Sequence, residues 1–134
     1  MKTIAIDFDG VIHKYSKGWQ DGVIYDDAFK DVFRIIHALM KDYNVFIFST
    51  RSPRQIKKWL MGHCFMDTDM PCTPWLYGYS IQVIPFWKKF WNKRDCLGIT
   101  KRKLPAHLYI DDRAYRFESW EKTLKDLEGG KIIK

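Results

Sequence analysis

The chain has 134 residues and a formal net charge of +7, and 46% of its residues are hydrophobic. This length suits one domain whose core needs neither disulfides nor a structural metal. No apolar run approaches the roughly 20 residues that span a bilayer, and no apolar segment of the kind found in signal peptides lies between Lys2 and Asp7. We therefore expect a single soluble domain over residues 1–134 that acts in the cytoplasm and not at a membrane.

The cysteine pattern favours buried, reduced thiols. Cys64, Cys72 and Cys96 form an odd set without C-x-x-C spacing, which does not suit a disulfide framework. His63 beside Cys64 is a weak zinc signal, because structural zinc sites usually have closely spaced pairs of ligands.

A predicted strand over residues 2–8 runs directly into Asp7-Phe8-Asp9-Gly10-Val11. Residues i and i+2 of an extended segment point the same way, so Asp7 and Asp9 should project together. Two carboxylates that close repel each other unless a cation lies between them. Mg²⁺, bound by carboxylates, water and phosphate oxygens, is a natural partner, so the pattern favours phosphoryl chemistry.

The next elements predict a parallel sheet. A loop over about residues 10–25 is followed by a helical apolar pattern over 27–42, for which Asp26 or Asp27 could provide the N-cap. A second strand over 45–48 then ends at Ser49-Thr50-Arg51. Strand, helix and strand at this spacing indicate a βαβ unit with parallel strands.

The second half of the chain is less regular. Pro53 begins a predicted helix that runs to about Gly62, and residues 63–80 look irregular. The patterns then predict strands over 81–84, 96–99 and 108–110, and helices over 85–91 and 115–127. The strand over 108–110 ends at Asp111-Asp112-Arg113. Because ligand sites in parallel sheets lie at the carboxyl ends of strands, we expect these strand ends to converge.

The positive charge is grouped, and aromatic residues lie among the groups. Basic groups with rings that can stack could bind single-stranded nucleic acid. The alternative, which we favour, is that many of the rings are core and the lysines form a solvated face. The basic residues are Arg54, Lys57, Lys58, Lys88, Lys89, Lys93, Arg94, Lys101, Arg102 and Lys103, and the aromatic ones are Trp59, Trp75, Tyr77, Tyr79, Phe86, Trp87, Phe90 and Trp91.

Four ordered segments resemble the motifs of the haloacid dehalogenase-like (HAD) phosphohydrolase superfamily. They are Asp7-Phe8-Asp9-Gly10-Val11, Ser49-Thr50-Arg51, Lys103-Leu104-Pro105 and Ile110-Asp111-Asp112-Arg113. The resemblance covers nearly the whole chain. It implies an α/β fold, a Rossmann-like three-layer sandwich with a mainly parallel sheet and no large cap. Residues 63–100 could hold a small insertion. The chain also resembles small HAD proteins of phages and bacteria and the 3′-phosphatase domain of phage polynucleotide kinase.

The resemblance implies catalytic roles for four residues. Asp7 would be the nucleophile that forms an aspartyl-phosphate, and Asp9 would be the general acid and base. Ser49 would donate a hydrogen bond to a phosphoryl oxygen. Lys103 would offset the negative charge, with Lys101 as its rival.

Three further residues would bind substrate. They are Gly10, where the chain turns, Thr50 and Arg51. For Arg51 a phosphate and a carboxylate are equally suitable partners.

The resemblance also implies a Mg²⁺ site. Asp7, the backbone carbonyl of Asp9, Asp111 and Asp112 would hold the ion, with Asp111 as the closer ligand because adjacent strand residues point to opposite faces. The alternative for Asp112 is an ion pair with Arg113 or a cap on the next helix.

The loop over 10–25 corresponds to the mobile flap of the family. His13, Tyr15 and Trp19 lie in it and could contact the leaving group. We expect His13 to be a surface residue.

Together these observations predict a Mg²⁺-dependent phosphomonoester hydrolase. Without a large cap an extended substrate can reach the site, which with the charge favours nucleotides or nucleic-acid 3′-phosphate ends. The alternatives are a catalytically inert module that binds nucleic acid or protein, and a small-metabolite phosphatase or phosphotransferase.

Overall fold

The structure is a computed structural model that describes residues 1–63 and 80–130, and these residues form five strands and three helices. In chain order the elements are β1 (Thr3–Asp7), α1 (Val32–Met40), β2 (Asn44–Phe48), α2 (Pro53–His63), β3 (Ser80–Val83), β4 (Cys96–Thr100), β5 (Leu108–Ile110) and α3 (Trp120–Glu128).

All five strands belong to one parallel sheet with the order β3-β4-β2-β1-β5. β1 lies between β2 and β5, with Ile6 paired to Ile47 on one side and to Ile110 on the other. The α/β class, the parallel sheet and the predicted strands are therefore confirmed. The carboxyl ends of β1, β2 and β5 are neighbours, as the prediction required.

The two faces of the sheet are covered differently. On one face, side chains of β1 and β2 such as Ile6 and Ile47 pack in one core cluster with Phe33 and Ile36 of α1 and Leu60 of α2. The second core cluster includes Ala5, Phe46, Ile84, Trp91, Cys96 and Leu104, which come from strands and from the segments that follow β3 and β4. Alternate strand residues therefore face two different cores.

The helix predicted over 27–42 begins later than expected. α1 starts at Val32, after Asp31 with its left-handed φ of 62°. Asp26 does not cap it, because its carboxylate accepts hydrogen bonds from the backbone N–H and the hydroxyl of Ser16. The next residues pair with the flap through a bridge between His13 and Ala28. Tertiary contacts thus remove the first turn of the predicted helix.

The prediction of a helix over 85–91 is wrong. Only a turn forms there, in which the N–H of Lys88 donates to the carbonyl of Pro85. The Trp91 side chain is buried in the core and its indole N–H donates to the carbonyl of Cys96. Burial of Trp91 and the return to β4 require an irregular path.

The last helix is shorter than the pattern over 115–127 predicts. Ser119 is its N-cap, and its hydroxyl accepts the N–H of Lys122, so α3 begins at Trp120. Cys96 is a buried free thiol, as expected. The predictions for Cys64 and Cys72 and for residues 64–79 of the small insertion lie outside the described residues. Within the described part of the chain, none of the helices is long and apolar enough to cross a membrane.

Candidate active site

An open cavity of about 210 Å³ lies where β1, β2 and β5 end. Its walls combine carboxylates, hydroxyls, an arginine and two rings of the flap. The described residues that line it are Asp7, Asp9, Tyr15, Trp19, Phe48, Ser49, Thr50, Asp111 and Arg113. Five of the predicted site residues therefore meet in one cavity, although they are far apart in sequence.

Three carboxylates at this edge form a candidate metal site. One oxygen from each of Asp7, Asp111 and Asp112 lies within 4.8 Å of the others. Three converging carboxylate oxygens fit a hard divalent cation such as Mg²⁺, which prefers oxygen ligands. The Asp9 side chain points to other partners, described below. The structure thus brings both Asp111 and Asp112 close to Asp7, and within the described chain no ion pair joins Asp112 to Arg113.

Gly10 makes room for one of these carboxylates. Its φ is +81°, and a Cβ built on it would lie 2.0 Å from Oδ2 of Asp112. The backbone turns sharply here, since the carbonyl of Phe8 accepts the N–H of Ile12 and of His13. Gly10 therefore serves the site through its missing side chain.

Replacing Gly10 by alanine should weaken metal binding as well as the fold. The φ alone costs about 1–2 kcal/mol for a residue with a Cβ, and Asp112 must also move. Thermal unfolding with and without Mg²⁺ measures both effects. Gly18→Ala is the matched control, because Gly18 has a φ of +69° and no atom within 4 Å of a built Cβ. We expect a smaller Mg²⁺-induced shift of Tm for Gly10→Ala only, and equal shifts in both variants would contradict this role.

Asp7 lies in an environment that favours its protonated form. Burial raises its pKa to about 6, and the carboxylates of Asp111, Asp112 and Asp9 act in the same direction. The backbone N–H of Phe8, which donates to Oδ1 of Asp7 at 2.8 Å, opposes this shift. A bound cation would relieve the repulsion, so protons and metal compete for this group.

Without divalent ions, the protein should lose stability as pH rises from about 4 to above 6. The native state keeps the Asp7 proton in this range whereas the unfolded chain has released it, so raising the pH favours unfolding. Urea unfolding in chelator at pH 4.5 and pH 7 measures the effect. Asp7→Asn should reduce the decrease and Mg²⁺ should offset it at pH 7. A decrease of the same size in Asp7→Asn would show that other groups cause it.

Asp9 is held by two buried donors. Nε of Arg51 lies 3.0 Å from Oδ1 and 2.8 Å from Oδ2 of Asp9, and Nδ1 of His13 lies 2.9 Å from Oδ1. Nε2 of His13 accepts the backbone N–H of Asp26 at 2.9 Å. Since Nε2 is an acceptor, the proton of the neutral ring is on Nδ1 and is donated to Asp9. Of the two partners considered for Arg51, the structure shows the carboxylate.

The expectation that His13 is a surface residue is wrong. Its side chain is fully buried and lies near the rings of Phe8, Tyr25 and Trp59. It joins the flap to Asp9 through its two ring nitrogens. The only signal of this role in the sequence is the position of His13 four residues after Asp9. That spacing indicates neither that the side chain is buried nor which groups it contacts.

The flap is attached to the site through Arg51. The Arg51 guanidinium lies 4.9 Å from the centroid of the Trp19 ring and 5.7 Å from that of Tyr15, and Nη1 donates to the carbonyl of Gly22 at 2.8 Å. Arg51 therefore orders the aromatic wall of the cavity as well as Asp9.

The second strand supplies hydroxyls. The Oγ of Ser49 accepts the backbone N–H of Arg51 at 3.2 Å, so its own proton can be donated to a ligand in the cavity. Ser49 is buried and Thr50 exposed, and both line the cavity. The arrangement suits the predicted role of Ser49.

Lys103 is not among the described lining residues. Its ammonium lies 5.0 Å from the centroid of the Tyr109 ring. Arg113 lines the cavity instead, with its guanidinium 5.9 Å from the Tyr15 ring. From the sequence we considered Arg113 only as a partner of Asp112. Its position directly after the two aspartates is the signal that it lies at the same end of β5. The catalytic role of Lys103 stays a prediction.

Comparisons with protein-family models, with curated proteins and with solved structures find no match.

Proposed function

We propose that the protein is a phosphomonoester hydrolase of the HAD type, with a Rossmann-like three-layer fold, that uses Mg²⁺ and an aspartyl-phosphate intermediate. The observation that carries the proposal is the convergence of Asp7, Asp111 and Asp112 at the carboxyl edge of a parallel sheet, beside the Ser49 hydroxyl. This combination offers a nucleophile, a cation site and a hydroxyl that can donate a hydrogen bond to a phosphate, all within one small cavity.

Asp7, Asp111 and Asp112 would hold Mg²⁺. When bound, the ion neutralises these carboxylates and polarises the phosphoryl oxygens. The raised pKa of Asp7 supports this assignment, because a group that is costly to ionise alone gains most from a nearby cation.

In the first half-reaction, an Asp7 oxygen attacks phosphorus and the bond from phosphorus to the ester oxygen breaks. Oδ1 of Asp7 accepts the N–H of Phe8, so Oδ2 is the better placed nucleophile. Ser49 donates to a phosphoryl oxygen. Asp9 gives its proton to the departing oxygen, which requires the Asp9 carboxyl to be protonated and to turn one oxygen from Arg51 toward the cavity.

In the second half-reaction, water attacks phosphorus, the bond to Asp7 breaks and inorganic phosphate leaves. Asp9 accepts the proton of the attacking water. The observed geometry suits this step, because Asp9 is oriented by two donors and lines the cavity. His13 and Arg51 act here as positioning residues.

Release of inorganic phosphate tests the proposal. We would measure it with an aryl phosphate, nucleoside monophosphates and a 3′-phosphorylated oligonucleotide, each with Mg²⁺ and with chelator. Release that requires Mg²⁺ is the expected result, and the preferred substrate distinguishes nucleic-acid ends from small metabolites. If no substrate releases phosphate while the oligonucleotide still binds, the protein is a binding module.

A further inference from the structure

The positive charge of the chain is concentrated in one segment of the sequence. Residues 80–110 contain seven of the 23 Lys and Arg residues but only one of the 16 acidic residues, Asp95. This segment therefore carries a net charge of +6, and the rest of the chain only +1. Such an imbalance favours a polyanionic partner for this segment.

Three large aromatic side chains of this segment are exposed to solvent, namely Phe86, Trp87 and Phe90. Phe86 is 86% exposed and Trp87 is 66% exposed, whereas Trp91 and Trp59 are buried in the core. The expectation that the aromatic residues among the basic groups belong to the core therefore holds for Trp59 and Trp91. It does not hold for Phe86 and Trp87. Lys89 and Lys101 are also exposed. We call Phe86, Trp87, Lys89, Lys101 and Arg102 the basic aromatic platform.

Hydrogen bonds connect this platform to the cavity. The N–H of Ser49 donates to the carbonyl of Thr100 at 3.1 Å, and the N–H of Arg102 donates to the Thr100 hydroxyl at 3.0 Å. Nη2 of Arg102 then donates to the carbonyl of Pro85 at 2.9 Å, directly before Phe86.

The sheet order agrees with this connection. β4 lies next to β2, and β3 next to β4, so the platform begins roughly 10 Å from the end of β2. Arg102 and the segment that begins at Pro85 therefore lie at the same edge of the sheet as the cavity.

From this placement we propose that the basic aromatic platform binds single-stranded nucleic acid. Exposed rings stack with bases of any sequence and the neighbouring cations contact phosphates. A strand on the platform can extend along the sheet edge so that its terminal phosphate enters the cavity, and this last part rests on the proposed function. A small phosphorylated metabolite would fill the cavity but would not reach Phe86 and Trp87.

Binding of a fluorescent single-stranded oligonucleotide with a 3′-phosphate tests the platform. Asp7→Asn is used as the parent so that no turnover occurs. We expect Trp87→Ala to weaken binding about 5- to 150-fold, which corresponds to one lost stacking contact. Trp120→Ala is the matched control, because Trp120 is 72% exposed on α3, and it should change binding less than about 2-fold.

The cationic part is tested by salt. Lys89→Gln with Lys101→Gln should make the slope of log K against log salt less steep by about 1.4, at 0.7 per phosphate contact on a single strand. Lys125→Gln, at an exposed position of α3, should leave the slope unchanged.

Several results would overturn the platform. The first is that the parent does not bind the oligonucleotide. The second is that Trp87→Ala and Trp120→Ala bind it equally well. The third is that the protein prefers anionic phosphatidylserine vesicles and the oligonucleotide does not displace it from them. Failure of phosphate release with every substrate would overturn the proposed function alone, because these binding measurements need no turnover. If the oligonucleotide bound equally well with and without its 3′-phosphate, the proposal that the strand end enters the cavity would be wrong, whereas binding to the platform would stand.

Discussion

Asp7→Asn should reduce Mg²⁺-dependent phosphate release by about 10³-fold or more, because an amide cannot form the aspartyl-phosphate that the proposed reaction requires. The substitution is nearly isosteric, and the amide oxygen can still accept the N–H of Phe8. It also removes a carboxylate whose pKa is raised to about 6, so the folded protein should be at least as stable at pH 7. Loss of activity would then not come from unfolding.

The control for this variant is Asp42→Asn. Asp42 is exposed at the turn after α1, and its substitution should leave phosphate release and Tm unchanged. Asp7→Asn and Asp42→Asn would be compared at equal concentration with the preferred substrate, and their unfolding curves would be recorded in parallel. If Asp7→Asn kept more than a tenth of the activity, Asp7 would not be the nucleophile.

The strands and their ends were predictable because each depends on a short, local pattern. The apolar runs at 3–6, 45–48 and 108–110 are each followed by polar residues, and parallel pairing puts their carboxyl ends together. The location of Asp7, Ser49 and Asp111 in one cavity follows from that topology alone.

Details that depend on distant contacts were not predictable. The start of α1 is set by contacts of Asp26 and Ala28 with the flap. The burial of His13 requires the ring of Trp59, 46 positions later in the chain. Exposure of Trp87 and burial of Trp91 likewise cannot be read from a pattern in which both are aromatic residues among lysines.

Arg51 was predictable only in part, because its position at the end of β2 was predicted, whereas the choice between a phosphate and a carboxylate partner stayed open. Its side chain is only 1% exposed, and that of Asp9 is 19% exposed. Nη2 of Arg51 is buried without a hydrogen-bond partner among the described residues. The other two nitrogens do have partners, since Nε donates to Asp9 and Nη1 donates to the carbonyl of Gly22. Arg51 therefore has mainly a structural role in the substrate-free protein.

Arg51→Ala should accordingly destabilise the protein by about 3 kcal/mol, the lower end of the cost of breaking a buried ion pair, because Asp9 is partly solvated. This corresponds to a decrease of Tm of about 10 °C. Arg54→Ala is the matched control, since Arg54 is exposed on α2, and its cost should be below about 0.5 kcal/mol. Urea unfolding of both variants measures the difference.

Hydrogen exchange and kinetics then distinguish a structural Arg51 from a phosphate ligand. Without Arg51, Tyr15 and Trp19 lose the guanidinium that contacts their rings, so the amides of residues 14–26 should exchange faster. Arg51→Lys should not restore protection, because an ammonium lacks the planar guanidinium that contacts both rings and Asp9. If Arg51→Ala were as stable as Arg54→Ala and only raised KM, its main partner would be the substrate phosphate and not Asp9.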